Sequence, residues 1–495
     1  MTITAENRAR LLEPAAWRGK IYVGGGWCEG GGADLPVLDK SSGDTLAEVG
    51  TGTPADVARA TAAANEAQPR WAGMPAARRR EVFIRAAGLV TEHHEELADW
   101  LLRETGGIRP KVEFELFKSR ENLLHAAATT TRPVGEVLPA APGVLSIGRR
   151  VPRGVVGIIT PWNFPFVLAL RTLAPALAAG NAAVLKPNPH TPVTGGVLLA
   201  KLFEEAGLPP GVLQVVPGDG DVGQAIVTDP GTALISFTGS TPTGRRVAEA
   251  AAPLLKKCVL ELGGNNAYIV LDDADVDAAA SAGAFAAFMH QGQVCMTAGK
   301  HIVHRSVAEE YAGKLAARAR SLRVGDPARE EGVNLGPIVN QVQIDRVQRI
   351  VDESVAAGAA LLTGGGHEGP FFEPTVLGQV TAAMPAYGEE IFGPVAPVIA
   401  VDSDEEAIAL ANEGEYGLTA AVRSGSESRG AAVADRLRSG VVHVNDQTIA
   451  YEVWAPFGGM GASGNGDAFG GPADADAFTE WQWITRRSEQ LTHSF

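Results

Sequence analysis

The amino-acid sequence predicts an α/β protein built from more than one domain. From residue 160 to about 262, short apolar runs alternate with helical patterns, a rhythm typical of a parallel sheet with helices on both faces. A second block of the same kind extends from about 267 to 460. Since the 495-residue chain exceeds what one hydrophobic core supports, we expect two or three domains.

Helices and short strands precede the first block. Residues 55–132 have helical patterns, including the charged run 76–103. Short β-prone runs separated by Pro and Gly occupy 134–160. The first block then contains strand candidates at 182–185, 212–216 and 233–237, with helices over about 192–206 and from about 243.

The second block and the tail complete the pattern. Apolar strand candidates lie at 267–271 and 395–400. The tail segment Ala477–Thr485 alternates large apolar and polar residues, which predicts an edge strand that exposes the indoles of Trp481 and Trp483.

Net charge and cysteine usage narrow the function classes. A net charge of −15 argues against nucleic acid and anionic membranes as partners. Cys28, Cys258 and Cys295 fit neither a disulfide framework nor a zinc pattern, so we expect no metal and a reduced, cytoplasmic location. Residues 1–20 lack the apolar core of a secretory signal. The most apolar stretch, Phe164–Leu185, is interrupted by Arg, Pro, Gly and Asn.

Cys295 is the first candidate for chemistry. It lies in a polar turn flanked by Gly292 and Gly299, after a helix rich in Ala and Phe, so we expect its thiol to be reachable. Lys300 is a nearby cation that is expected to favour the thiolate. The alternative is a small buried apolar residue, which is what most lone cysteines are.

Glu261 and Asn163 add a carboxylate and an amide. Glu261 stands between apolar strand residues and a Gly-Gly turn, where desolvation raises a carboxyl pKa and suits a general base. Asn163 follows a strand end, where open α/β sheets place ligands, and its N–H groups suit a developing oxyanion. The alternatives are a solvated carboxylate at a strand end and a turn asparagine beside Pro.

Three further motifs are weak when taken alone. The glycine turn from Phe237 to Gly244 follows a strand and opens a helix, as phosphate-binding turns do, but its spacing differs from the usual dinucleotide fingerprint. Lys186 ends a strand and either reaches a ribose or phosphate or is merely solvated. The pair Glu389–Glu390 is either functional or a solvated acidic corner.

Taken together and in order, these segments resemble the aldehyde dehydrogenase superfamily over nearly the whole chain, from Ile21 to Ile484. Six segments that match the family's motifs in the same order are stronger evidence of the resemblance than any single segment. The segments are Pro161–Pro165 (PWNFP), Phe237–Ser240 (FTGS), Glu261–Gly264 (ELGG), Gly292–Cys295 (GQVC), Glu389–Pro394 (EEIFGP) and Pro456–Gly459 (PFGG).

The resemblance implies an aldehyde-dehydrogenase-like α/β fold with three parts. A Rossmann-like cofactor domain would cover 1–128 and 152–263, and an α/β catalytic domain would cover 264–462. A small β oligomerisation arm would cover 129–151 and 463–495. Homodimers or homotetramers are implied as well, which suits the edge strand of the tail.

Site roles are also implied by the resemblance. Cys295 would be the nucleophile that forms a thiohemiacetal and then a thioester, with Asn163 and the Cys295 backbone N–H as oxyanion donors. Glu261 would activate the hydrolytic water. NAD or NADP would be the cofactor, bound by Thr160, Pro161, Trp162, Lys186, Phe237, Gly239, Ser240, Gly244, Leu262, Glu390 and Phe392.

The chain departs from the family pattern at three places. Strictly NAD-dependent relatives carry Glu where this chain has Pro189, so NAD and NADP both stay open. Arg171-Thr172 stands where many members have Lys, which puts a proton-relay role there in doubt. Lys300 replaces the usual Arg and keeps the charge.

The expected substrate is an aromatic aldehyde. His290–Gln293, Cys295–Thr297 and Asn445–Thr448 most resemble the benzaldehyde and vanillin branch. Candidates for a flat apolar pocket are Phe164, Phe288, Met296, Ile449, Trp454 and Phe457. The alternative for several of them is ordinary core.

The leading hypothesis is therefore NAD(P)-dependent oxidation of an aldehyde to its acid. A coenzyme A-acylating reductase of the same fold is the second hypothesis, and the presence of Glu261 argues against it. A cofactor-free cysteine hydrolase is the third, and it needs a His near the thiol, such as His290. The fourth hypothesis is a homologue that keeps the fold but has no catalytic activity. The joint presence of Cys295, Glu261 and Asn163 argues against it.

Overall fold

The computed structural model describes residues 10–493 and 495, and its first part is mostly helical. The predicted helical run is confirmed as four consecutive helices. Four short strands precede it and are not predicted, because runs of four or five residues are close to the shortest that periodicity resolves. The elements are α1 (Pro14–Trp17), β1 (Lys20–Val23), β2 (Gly26–Glu29), β3 (Leu35–Leu38), β4 (Thr45–Val49), α2 (Pro54–Ala72), α3 (Ala76–Glu92), α4 (His94–Thr105) and α5 (Arg109–Thr129).

The predicted alternation of strands and helices follows. Helix α9 begins two residues before the predicted start, because Pro242 fits the first turn of a helix. The elements are β5 (Gly135–Leu138), β6 (Val144–Pro152), β7 (Val155–Ile159), α6 (Pro165–Ala178), β8 (Ala182–Lys186), a π-helical turn (Val193–Val197) continuing into α7 (Leu198–Glu205), β9 (Leu213–Val215), α8 (Gly220–Thr228), β10 (Leu234–Thr238), α9 (Thr241–Ala251), a 3-10 turn (Ala252–Leu254) and β11 (Lys257–Glu261).

The second half repeats the α/β pattern and ends in the predicted edge strand. Its elements are β12 (Asn266–Val270), α10 (Val276–Phe288), a 3-10 turn (Met289–Gly292), β13 (Ala298–His304), α11 (Arg305–Ser321), α12 (Gln341–Ala356), β14 (Ala360–Thr363), β15 (His367–Glu368), β16 (Phe371–Phe372), β17 (Thr375–Gly378), α13 (Pro385–Gly388), β18 (Val395–Val401), α14 (Asp404–Asn412), β19 (Tyr416–Gly417), β20 (Thr419–Arg423), α15 (Glu427–Ala434), β21 (Val441–Val444), β22 (Met460–Gly461), α16 (Ala473–Phe478) and β23 (Thr479–Arg487).

Two seven-stranded sheets confirm the α/β fold class. The first has the order β11-β10-β7-β8-β9-β1-β2, and its strands β7 to β11 are parallel. The second has the order β14-β17-β18-β13-β12-β20-β21, parallel except for β14. Parallel strands are covered by helices on both faces, so their carboxyl ends are where ligands gain access.

A separate three-stranded antiparallel sheet has the order β23-β6-β5. Residues Thr479–Arg487 pair in register with Val144–Pro152, which confirms the edge strand. Trp481 and Trp483 are 56% and 73% exposed. The functions assigned to the three predicted parts of the chain remain predictions, and residues 1–9 of the first part lie outside the described residues.

Helix α6 positions the segment that carries Asn163. Every residue of α6 except Leu168 is buried. Its first turn is fixed from outside, because Glu115 of α5 accepts the backbone N–H groups of Phe166 at 2.9 Å and Val167 at 3.3 Å. A carboxylate is favourable at a helix N-terminus. The short link between β7 and α6 is therefore held rigidly at the carboxyl end of the first sheet.

Among the described residues, no helix has both the length and the apolar character needed to cross a membrane.

Candidate active site

A cavity of about 180 Å³ brings the three predicted catalytic residues together. Asn163 reaches it from the link after β7, Glu261 from the end of β11, and Cys295 from the loop before β13. The two large sheets thus contribute to one site. These residues are up to 132 positions apart in the sequence, so the fold brings together what their spacing alone does not.

Cys295 is presented by a strained loop. His290, Gln291 and Gly292 all have left-handed backbone, with φ of 50°, 57° and 67°. The side chain of Gln291 donates to two backbone carbonyls at 2.9 and 3.0 Å, and Asn266 donates to the carbonyl of Cys295 at 2.8 Å. Such strain persists only where the surroundings fix the conformation, and it often marks a functional site. The loop holds Cys295 partly exposed at the cavity wall.

The charges around Cys295 differ from the expectation. Burial raises the pKa of the Cys295 thiol to about 12, Arg171 opposes this rise, and Glu261 and Glu390 add to it. The thiol is therefore protonated at neutral pH. The expectation for Lys300 is wrong: its ammonium lies 4.5 Å from the ring centre of Tyr387. The cation that acts on the thiol is Arg171.

Glu261 is a buried carboxylate with little hydrogen bonding. Its Oε1 has no hydrogen-bond partner, and its Oε2 lies 4.0 Å from Nη2 of Arg171. Desolvation raises the pKa of Glu261 to about 8, Arg171 acts to lower it, and Asp467 acts to raise it further. A carboxylate whose pKa is near the working pH is suited to proton transfer.

Asn163 is suited to hold an oxyanion. Its side chain is buried, and Nδ2 donates one hydrogen bond to the carbonyl of Gln293 at 2.9 Å. An amide nitrogen carries two hydrogens, so the second N–H is available to a ligand in the cavity.

A larger cavity of about 460 Å³ adjoins the first and shares five wall residues with it, from Pro161 to Trp162 and from Thr238 to Ser240. It lies at the carboxyl ends of parallel strands, and the N-terminus of α9 opens beside it. Seven of the predicted cofactor residues line it: Thr160, Pro161, Trp162, Lys186, Phe237, Gly239 and Ser240.

This groove fits a dinucleotide. A Cβ at Gly239 would lie 2.6 Å from the Phe237 ring, so glycine lets this ring pack against the turn. The Gly239 N–H donates to the carbonyl of Glu261 at 3.0 Å, and the N-terminus of α9 that follows is favourable for a phosphate. Lys186 adds a cation, whose pKa is lowered to about 8 by burial. The residues present therefore match a nicotinamide dinucleotide, which the overall charge of the chain would otherwise repel.

The remaining predicted cofactor residues occupy two places. Leu262, Glu390 and Phe392 line the smaller cavity. Glu390 accepts from the Gly264 N–H at 2.9 Å, and burial raises its pKa to about 7. Gly244 lies inside α9, where a Cβ would meet Leu262 at 2.4 Å, so this glycine lets the helix pack closely onto the site.

Four of the six predicted substrate residues lie together next to Cys295, although none of the four lines the cavity that contains Cys295, Glu261 and Asn163. Phe164, Met296, Ile449 and Phe457 belong to one apolar cluster that Cys295 packs against. The structure places the other two elsewhere. Phe288 lines a separate cavity of about 550 Å³, of which Ile449 is also a wall. Trp454 is 58% exposed and lies near Lys118.

Sequence reasoning missed part of the site. The sequence marks Arg171 only as a departure from the family pattern, although a charged residue inside a continuous apolar helix indicates a buried partner. Gln343 and Arg346 of α12 line the smaller cavity, and Arg246 lines the larger one. Nothing in their local sequence distinguishes them from surface residues.

His290 does not pair with the thiol. Its ring is buried 5.2 Å from the Phe164 ring centre, and neither ring nitrogen has a hydrogen-bond partner. Burial and the nearby Lys111 lower its pKa well below the usual value, so it stays neutral. The arrangement lacks the thiol–imidazole contact on which a cysteine hydrolase depends.

Comparisons with known proteins agree with this geometry. Residues 27–484 match the sequence profile described as the aldehyde dehydrogenase family. The chain is 48% identical over 486 residues to vanillin dehydrogenase of Amycolatopsis sp., covering 98% of this chain and 100% of that protein. It is 47% identical over 484 residues to the NAD(+) benzaldehyde dehydrogenase of Pseudomonas putida, covering 98% and 99%. The crystal structure of Staphylococcus aureus betaine aldehyde dehydrogenase with NAD+ matches with a TM-score of 0.93 and 30% identity, covering 98% and 97% of the two chains.

Proposed function

This chain belongs to the aldehyde dehydrogenase family, and from that premise we propose that it oxidises an aldehyde to the carboxylic acid with NAD or NADP. One observation carries the proposal. A thiol, a carboxylate of raised pKa and an amide N–H line one cavity, which opens into a glycine-walled groove for a dinucleotide.

The thiol proton of Cys295 passes to water while the sulfur bonds to the aldehyde carbon, which leaves a thiohemiacetal oxyanion. The Asn163 side chain and the Cys295 backbone N–H stabilise the resulting oxyanion. When bound, NAD(P) supplies the two-electron oxidation that converts this adduct into a thioester. Glu261 then accepts a proton from water, the water oxygen bonds to the thioester carbon, and the carbon–sulfur bond breaks to release the acid.

An aromatic aldehyde is the proposed substrate class. The cluster of Phe164, Met296, Ile449 and Phe457 packs against Cys295 and supplies two aromatic rings on this side of the thiol. Two relatives of nearly 50% identity are named for vanillin and benzaldehyde, which supports the same class here.

NAD and NADP are both proposed to bind. Trp162, Lys186, Gly239 and Ser240 would hold the dinucleotide in the groove, with Glu390 and Phe392 at the inner end. The groove wall carries Arg246, and the chain has proline at position 189, where strictly NAD-dependent relatives carry a carboxylate. Both features suit a 2′-phosphate.

Self-association is proposed through the three-stranded sheet. Its outer strand exposes Trp481 and Trp483, and Val137 of β5 is 75% exposed. Exposed aromatic and aliphatic side chains on one small sheet suit burial against a second copy, in a homodimer or homotetramer. A cytoplasmic location is proposed as well, because a site built on a reactive thiol needs a reducing compartment.

A substrate panel tests the proposal. Benzaldehyde, vanillin and aliphatic aldehydes would each be assayed with NAD+ and NADP+, and the absorbance of the reduced cofactor would be followed. We expect turnover, fastest with the aromatic aldehydes, and its loss in Cys295→Ser with dinucleotide binding retained. Product formed only when coenzyme A is added, or normal turnover by the serine variant, would overturn it.

A further inference from the structure

Arg171 is a buried cation with few partners. It lies in the middle of the apolar helix α6 and is only 3% exposed. Its guanidinium is 5.0 Å from the ring centre of Phe457 and 5.2 Å from that of Phe469, and its Nε has no hydrogen-bond partner. A guanidinium remains charged at any physiological pH, so this position holds a fixed positive charge beside the site.

The nearest anion to that charge is Glu261. Nη2 of Arg171 lies 4.0 Å from Oε2 of Glu261, which is a charge contact but too long for a hydrogen bond. The other titratable groups that act on Glu261 are Asp467 and Cys295. Asp467 is itself paired with Lys257 at 2.7 Å, whereas Arg171 acts on Cys295, Tyr451 and Asp474 as well as on Glu261.

We propose that Arg171 is a positioning residue whose fixed charge favours the ionised form of Glu261 during thioester hydrolysis. The inference rests on the proposed function, because it assigns the source of charge for the water-activating step. In that step Glu261 takes one proton from water, the hydroxide oxygen bonds to the acyl carbon, and the carbon–sulfur bond breaks. The sulfur keeps the electron pair and takes up the proton, so thiol and acid are the products.

The 4.0 Å separation between Arg171 and Glu261 favours a role in the reaction over a purely structural role. A bidentate hydrogen-bonded pair would occupy the carboxylate lone pairs and make the carboxylate a poor base. At 4.0 Å the cation favours the ionised form while Oε1 keeps its lone pairs for water. Burial raises the pKa of Glu261 to about 8 even with Arg171 present, and a cation that does not donate a hydrogen bond to the carboxylate limits that rise.

The test follows hydrolysis of a preformed acyl-enzyme. 4-Nitrophenyl acetate would acylate Cys295 without any dinucleotide, and the burst and the steady phase separate acylation from deacylation. The rates would be measured between about pH 6 and 10, around the Glu261 pKa, in the wild type, Arg171→Met, Arg171→Lys and the control Thr172→Val. Thr172 is the buried neighbour of Arg171 on α6 and contacts Ser236 at 3.3 Å, so its variant disturbs the same helix without changing charge.

We expect the wild-type deacylation rate to rise with pH around a midpoint near 8, because the base must be ionised. Removing the cation raises the Glu261 pKa, so the Arg171→Met midpoint should move up by about one unit or more. At pH 7 this corresponds to roughly tenfold slower deacylation, while the rate at high pH recovers. Arg171→Lys should restore most of the wild-type profile, and Thr172→Val should leave the midpoint unchanged.

An unchanged midpoint in Arg171→Met would overturn the inference, and so would an equal shift in Arg171→Lys, since shape and not charge would then matter. If Arg171→Met does not fold, Arg171→Gln carries the same expectation, because it is neutral but can still hydrogen-bond. A wild type that hydrolyses the ester but oxidises no aldehyde with NAD+ or NADP+ would refute the proposed function and leave the result on Arg171 standing.

Discussion

Two buried carboxylate–cation pairs flank α6, and they are built differently. At its N-terminus, Glu115 lies 2.5 Å from Nζ of Lys111 and also accepts two backbone N–H groups. Beside its middle, Glu261 lies 4.0 Å from Arg171 and has an oxygen with no partner. Both carboxylates are almost completely removed from solvent, so the difference lies in their hydrogen bonds and not in their burial.

The difference shows that the Glu115 carboxylate stabilises the fold, whereas the Glu261 carboxylate is left available for the reaction. A buried ion is stable when all of its hydrogen-bonding groups have partners. A carboxylate whose lone pairs all accept hydrogen bonds has none left for a substrate. Glu115 therefore fixes α6, while Glu261 retains basicity at some expense in stability. The same helix thus connects a rigid anchor to a reactive group.

Glu261→Gln should have the largest effect. Loss of a general base typically costs about 10²–10⁴-fold in rate, so deacylation should fall by that factor while the acylation burst remains. Stopped-flow measurement with 4-nitrophenyl acetate separates the two phases. Deacylation at the wild-type rate would show that another group activates the water.

Lys111→Met should instead damage the fold. Breaking a buried ion pair typically costs 3–5 kcal/mol, and since Glu115 keeps two backbone donors we expect about 3 kcal/mol of unfolding free energy. Urea denaturation measures it. The pH midpoint for deacylation in the folded variant should match the wild type, and a shifted midpoint would mean that the two pairs are coupled.

Arg171→Met should also slow modification of the thiol. Arg171 is the cation that acts to lower the pKa of Cys295, so without it less thiolate is present at any given pH. We expect iodoacetamide to inactivate the variant up to about tenfold more slowly at pH 8, equivalent to about one pKa unit. Equal inactivation rates would show that the influence of Arg171 ends at Glu261.

Thr105→Val should have the smallest effect. Thr105 accepts hydrogen bonds from Lys111 at 3.3 Å and from the Gly107 backbone N–H at 3.2 Å, and it donates one to a backbone carbonyl at 2.6 Å. Its loss should lower the unfolding free energy by about 1 kcal/mol and leave the rates unchanged. A larger loss would show that the anchor depends on Thr105 as well as on the ion pair.

The sequence was sufficient for the fold class and for a testable site, because strand and helix periodicities are local and the motifs stand at strand ends. The prediction that Lys300 acts on the Cys295 thiol was wrong, because a separation of five residues does not determine the direction in which a side chain on β13 points. The sequence also contained no signal for Gln343 and Arg346, which reach the cavity from a helix far along the chain. Side-chain direction and distant contacts depend on the completed fold.

The left-handed run His290–Gln291–Gly292 sets a limit on redesign. A Cβ at Gly292 would lie 2.1 Å from the carbonyl oxygen of Gly393, so no other residue fits there without moving backbone. Mutant libraries aimed at a new range of aldehydes should therefore leave these three residues unchanged. Diversity is better introduced at Ile449 and Phe457, which border the thiol from separate parts of the chain.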